Sequence, residues 1–143
     1  RSIETLAGLA APLGVRIAVE VIPNQLSAAG SLVHFVEEVL DTPATGICLD
    51  LGHAHLDGDV LDAIETVSEH LIAVHLHDNR GRNDDHLLPF DGTIDWPAAL
   101  TTMRKVGFDG PMVLEIAPQA SARETLTRAQ AVRVRMERLL ARL

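Results

Sequence analysis

Apolar and polar positions follow two rhythms along this chain, a helical one and an alternating one, and the two take turns. Ser2 to Leu13 reads as a helix that ends at Gly14, and Arg16 to Ile22 as a strand. From about Ser31 to Leu40 the apolar residues Leu32, Phe35, Val36, Val39 and Leu40 recur at helical spacing, and Thr45 to Leu51 is a second strand. Asp59 is placed to cap a helix running to about His70, and Leu71 to His77 is a third strand. A polar loop, Asp78 to Thr93, leads to a helix capped by Asp95 with Pro97 in its first turn. Pro111 to Ile116 is a fourth strand, and Ser121 with Glu124 forms a capping-box pattern that opens a last helix reaching nearly to Leu143.

The order is one helix followed by four βα units, which implies an α/β fold with a parallel sheet covered by helices. Spread over 143 residues, four units take about 36 residues each, near the repeat of an eight-unit TIM barrel of about 250 residues. The expected architecture is therefore about half of a TIM-type barrel, with residues 1–143 forming a single domain. An open doubly wound sheet competes with it, but no Gly-x-Gly-x-x-Gly turn supports that alternative.

Strand phase then isolates four residues. Side chains alternate faces along a strand, so Ile17, Val19 and Val21 oppose Ala18, Glu20 and Ile22, and Ile47, Leu49 and Leu51 oppose Cys48 and Asp50. In the same way Ile72, Val74 and Leu76 oppose Ala73, His75 and His77, while Met112, Leu114 and Ile116 oppose Val113 and Glu115. Each strand has one large aliphatic face. The other carries a smaller residue and, two positions on, a polar residue near the C-terminal end. Glu20, Asp50, His75 and Glu115 would converge on neighbouring parallel strands. Carboxylates that close repel one another and pay for desolvation, so they call for a cation. Nitrogen and oxygen donors suit Zn²⁺, Mn²⁺, Co²⁺ or Fe²⁺, and the C-terminal ends of barrel strands are where such folds do chemistry.

Composition narrows the partners. A net charge of −8 repels phosphate backbones and disfavours nucleic acid. The single Cys48 excludes an intramolecular disulfide and fits a reducing compartment, hence a cytoplasmic expectation. Apolar runs are too short for a membrane span, and no secretory signal opens the chain, which begins at Arg1. Seven histidines is a high count, and five of them cluster between His53 and His86.

That cluster suggests a second group. His53 lies just past the second strand and can reach the same cavity, and Asp84-Asp85-His86 in the loop after the third strand could complete a second metal position or hold substrate. His77 shares a face with His75 but lies further out, which favours substrate contact or loop hydrogen bonding over ligation. Arg82, with Arg80, offers a site for an anionic substrate group.

These motifs, taken in order, resemble a family. Val19-Glu20-Val21-Ile22-Pro23-Asn24, Cys48-Leu49-Asp50-Leu51-Gly52-His53-Ala54, His75-Leu76-His77-Asp78-Asn79, Asp84-Asp85-His86 leading to Asp91-Gly92-Thr93-Ile94-Asp95-Trp96, and Val113-Leu114-Glu115 are similar to the C-terminal half of xylose-isomerase-like TIM barrels. Those are sugar (phosphate) isomerases and epimerases, with endonuclease IV type apurinic endonucleases as relatives. The resemblance implies that Glu20, Asp50, His75 and Glu115 hold one divalent metal (Mn, Zn, Co, Mg or Fe), with Glu20 and Glu115 as the catalytic pair. It gives His53 to substrate or metal, and Asp84 and His86 to a further metal. Phe90 departs from it, because many relatives have glycine there in a Pro-Gly-x-Gly turn.

Three functions are expected in order of preference. The first is a metal-dependent isomerase or epimerase that moves a proton on a sugar or hydroxy-ketone through a metal-stabilised enediolate. The second is metal-dependent phosphodiester cleavage of the endonuclease type. The third is a non-catalytic half barrel, whose open edges would seek a second copy or a missing N-terminal half.

Overall fold

The computed structural model describes residues 2–40 and 42–143. Helix α1 (Ser2–Ala10) tightens into a 3₁₀ turn, Ala11–Leu13, and stops at Gly14. Gly14 takes φ 69°, a left-handed conformation that glycine adopts freely. Strand β1 (Ile17–Glu20) is followed by α2 (Ala29–His34), β2 (Thr45–Asp50), α3 (Leu51–Asp57), α4 (Val60–Val67), β3 (Leu71–Leu76), α5 (Trp96–Lys105), β4 (Met112–Leu114) and α6 (Ala122–Leu140). The strands form one parallel sheet in the order β1-β2-β3-β4. This is half a barrel of the TIM type.

Capping explains most of the helix starts. The Asp59 carboxylate accepts the N–H groups of Leu61 and Asp62 at α4, Asp95 accepts that of Ala98 at α5, and Ser121 accepts that of Glu124 at α6. Two elements depart from the sequence pattern. The helix after β1 begins at Ala29 rather than Ser31 and widens into a π turn over Phe35–Val39. The other departure is α3, whose seven residues follow β2 with no connecting loop. It starts because the Asp50 carboxylate accepts the His53 N–H at 2.8 Å.

The large aliphatic faces do pack outward against the helices. Val21, Ile47, Leu49, Leu51, Val74 and Leu76 are essentially inaccessible, together with Ile64 and Val67 of α4 and Trp96, Leu100 and Met103 of α5. Each such side chain contributes about 1.5–3 kcal/mol on burial. The opposite, concave face carries Ala18, Cys48, Ala73 and Val113 below the four polar residues. Among the described residues, the outer edges of β1 and β4 pair with no further strand. Leu6, Leu9 and Leu13, on the segment that packs beside β1, and Val113 of β4 remain exposed. No helix of the described residues is long and apolar enough to cross a membrane.

Candidate metal centre

Register brings the four inward polar residues together. Glu20 pairs with Cys48, two residues short of Asp50, while Asp50 pairs directly with His75. His75 in turn pairs with Val113, two residues short of Glu115. A register shift between Ile47 and Cys48 sets the phase, because Ile47 faces Leu71 whereas Cys48 faces Ala73. The extra residue puts His75 beside Asp50 on the concave face. β4 ends at Leu114, but the Glu115 N–H still donates to the Leu76 carbonyl at 3.1 Å, which holds Glu115 in line.

Donor atoms from Glu20, Asp50, His75 and Glu115 lie within 4.8 Å of one another. His75 Nδ1 is 3.0 Å from Glu20 Oε1, 2.9 Å from Glu115 Oε2 and 4.0 Å from Asp50 Oδ2. A single imidazole N–H cannot serve three carboxylates. Asp50 is fully buried, and its Oδ2 has no hydrogen-bond partner. A cation among these atoms removes both difficulties, so the residues fit a divalent metal. Burial opposes ionisation of Asp50, yet the His77 imidazole beside it and the His53 N–H it accepts hold its carboxyl below the ordinary value.

A second group adjoins the first. His53, His77, Asp84 and His86 also offer donor atoms within 4.8 Å of one another. His53 Nδ1 lies 3.0 Å from the Val21 carbonyl and His86 Nδ1 lies 2.9 Å from the Glu115 carbonyl. A carbonyl only accepts, so both Nδ1 atoms carry the proton and, in the neutral rings, both Nε2 atoms present lone pairs. Those Nε2 atoms each lie 3.3 Å from Asp84 Oδ2. Acceptor then faces acceptor, which a cation or an added proton resolves.

His77, expected from the sequence at the substrate, is inaccessible to solvent. Its Nε2 lies 2.9 Å from Asp50 Oδ1 but off the line of a hydrogen bond, and neither ring nitrogen has a hydrogen-bond partner. The ring stacks on His86 with centroids 4.0 Å apart. Its other wall is Gly52, where an added Cβ would sit 2.0 Å from His77 Cε1. Arg82 is exposed on the loop, two residues before Asp84. A third group, Glu37, Glu69 and His70, is at the surface, with His70 Nε2 2.8 Å from Glu37.

Two residues not singled out in the sequence organise the loop that carries Asp84 and His86. Asp78 is inaccessible and accepts the N–H groups of Asn79, Ile94 and Phe90 and the Trp96 indole N–H, the last at 2.7 Å. Asn79, equally buried, donates to the Gly52 carbonyl and accepts the Gly81 N–H. In the sequence they stand out only as the end of the segment His75-Leu76-His77-Asp78-Asn79, which carries the resemblance but gives them no role.

Comparison with known proteins agrees with this architecture. The inosose isomerase of Bacillus licheniformis is 28% identical over 138 residues, which cover 87% of this chain and 50% of that protein. The solved D-psicose 3-epimerase of Clostridium cellulolyticum H10, holding D-tagatose, superposes with a TM-score of 0.85 at 22% identity, over 97% of this chain and 54% of that one. The IOLI protein, solved with a zinc atom, gives a TM-score of 0.76 at 23% identity, over 93% of this chain and 52% of that one. The chain spans 32% to 50% of the length of the curated relatives it matches. A family model described as the xylose isomerase-like TIM barrel matches residues 1–134. The chain therefore belongs to the xylose isomerase-like TIM barrel family.

Proposed function

We propose that this chain is the C-terminal half of a divalent-metal-dependent sugar isomerase or epimerase. The observation that carries the reading is the buried Asp50 Oδ2, unpartnered among two glutamates and an imidazole at the C-terminal ends of the strands. Glu20, Asp50, His75 and Glu115 would hold the cation. When bound there, it would polarise a substrate carbonyl and stabilise an enediolate.

Glu20 ends the first strand of the sheet and Glu115 directly follows the last, and both are partly open to solvent, unlike Asp50. They reach a substrate from opposite sides of the row. One carboxylate takes the proton α to the carbonyl, and the other returns a proton to the neighbouring carbon or to the opposite face. His53 and Arg82 are the substrate-contact candidates; Arg82, exposed on the loop, suits a phosphate or other anionic group. His77 is assigned instead to the second donor set.

The test uses the complete barrel with a panel of ketoses and inososes in D₂O. Deuterium exchange at the substrate C–H, followed by NMR, should fall about 10²–10⁴-fold in Glu115→Gln. Exchange that survives unchanged in this variant defeats the assignment.

The second donor set favours another reading, a phosphodiesterase of the endonuclease type that uses more than one cation. A metal count separates the two. One tightly bound ion per chain supports the isomerase reading, whereas two or more together with cleavage of an abasic-site duplex support the other. The free edges of β1 and β4 call for four more strands, from an N-terminal half or from a second copy. A 143-residue chain that stays monomeric by light scattering would rule out the second copy.

A further inference from the structure

The loop between β3 and α5 is held in a strained shape by residues outside both donor sets. Phe90 takes φ 78° and His86 takes φ 46°, the left-handed region where a side chain crowds its own backbone. Glycine would take φ 78° without strain. This chain places a phenylalanine there and surrounds it. The Phe90 N–H donates to Asp78 Oδ2 at 3.0 Å, and its ring lies 5.9 Å from that of Trp96, tilted by 53°. On the ring's face sits a guanidinium from α6, with Arg135 Cζ 3.7 Å from the centroid. Arg135 is exposed and makes no ion pair with the described residues, so the ring is the contact that orders it. Seven residues earlier on α6, hence on the same face, Arg128 pairs with the Asp91 carboxylate. Two arginines of one helix face thus grip two consecutive residues of the loop.

We propose that Arg135 is a positioning residue. By covering Phe90 it keeps the left-handed turn closed, and the turn keeps Asp84 and His86 aimed at His53 and His77. The device links the far helix to the second donor set through a non-glycine residue held at φ 78°. Its consequence for cation binding rests on the second reading above, in which Asp84 and His86 help to hold a further ion. The positioning itself does not, and the two are measured separately.

The first measurement is amide hydrogen exchange on the full chain, without added metal. Phe90 and Ile94 both donate to Asp78 and report on the turn. Arg135→Ala should speed their exchange about fivefold, the loss expected for one cation–π contact at a surface. Arg135→Lys should restore most of the protection, and the amides of β2 should not change. Phe90→Gly should make Arg135 dispensable, so that Arg135→Ala adds nothing in that background. The inference is overturned if Arg135→Ala leaves the turn's exchange unchanged. It is overturned equally if β2 speeds up by the same factor, or if the effect persists undiminished beside Phe90→Gly.

The second measurement is a cobalt(II) titration. Arg135→Ala should weaken the second equivalent about fivefold and leave the first unmoved. If the parent protein takes up no second equivalent while the exchange pattern holds, the cation role of Asp84 and His86 falls and the positioning stands. If a second equivalent binds with equal strength in both, the link from the turn to the donor set is refuted.

Discussion

Asp78 shows how much one side chain can organise. It is buried and accepts from three backbone N–H groups and an indole, which span residues 79 to 96. Asp78→Ala strands those donors away from water and should cost about 3–5 kcal/mol, measured as a lower urea midpoint. Gly52→Ala drives a methyl into His77 and should destabilise by about 1–3 kcal/mol, measured by thermal unfolding. Cys48 answers a different question. Burial, then the Glu20 and Asp50 carboxylates, push its thiol up to about 12. Iodoacetamide at pH about 8 should leave it unmodified in the native protein and alkylate it after unfolding, as read by mass spectrometry. At His86, burial favours the neutral ring, yet the Glu115 carbonyl and the Asp84 carboxylate outweigh it and raise the imidazole above its ordinary value. A raised folded value stabilises fully below the unfolded value of about 6.5, and the contribution disappears as pH climbs through the folded value. In metal-free protein the stability gap to His86→Gln should therefore be wider at pH about 5.5 than at about 8.5. Glu20, Asp50, His75 and Glu115 were legible in the sequence because strand alternation is a local rule that repeats four times. The role of Asp78 was not, since three of the four donors it gathers are separated from it by a loop with no period.

Among elements, α3 is the instructive one. Seven residues that include Gly52 give no amphipathic period, so the sequence showed only a strand end followed by a histidine. The helix exists because Asp50 caps it and because Leu51, His53 and Ala54 find burial there. Asp50 therefore caps a helix and faces both donor sets, and substitution can separate these tasks. Asp50→Asn keeps an acceptor for the His53 N–H and should retain the cap, while Asp50→Ala should lose about 1 kcal/mol with it. Both should weaken cation binding. Circular dichroism melting with and without EDTA reads the two effects apart. The turn at Phe90 was legible only as a departure. What compensates for it, Arg135, lies on α6, at a sequence distance that no motif spans.

At the scale of the whole molecule, three carboxylates drawn together without a cation repel each other, so loading the site should stabilise the fold. At about a hundred times its dissociation constant, an ion that binds only the native state adds about 2.7 kcal/mol, which should appear as a rise in melting temperature that EDTA reverses. The half barrel was legible as a count of βα units, but the strand register was not. Register depends on how neighbouring strands slide, and one extra residue between β2 and β3 decides it. The two-residue steps, Glu20 opposite Cys48 and His75 opposite Val113, have a consequence for any attempt to move this site elsewhere. On an untilted sheet with the same pairing, Glu20 and Glu115 would stand four residues out of level, about 13 Å along the strand direction. Here their donor atoms meet within 4.8 Å. Tilt closes that gap, so the site belongs to the curvature of the sheet as much as to its four side chains, and grafting those residues onto a flat scaffold would transplant the chemistry without the place where it happens.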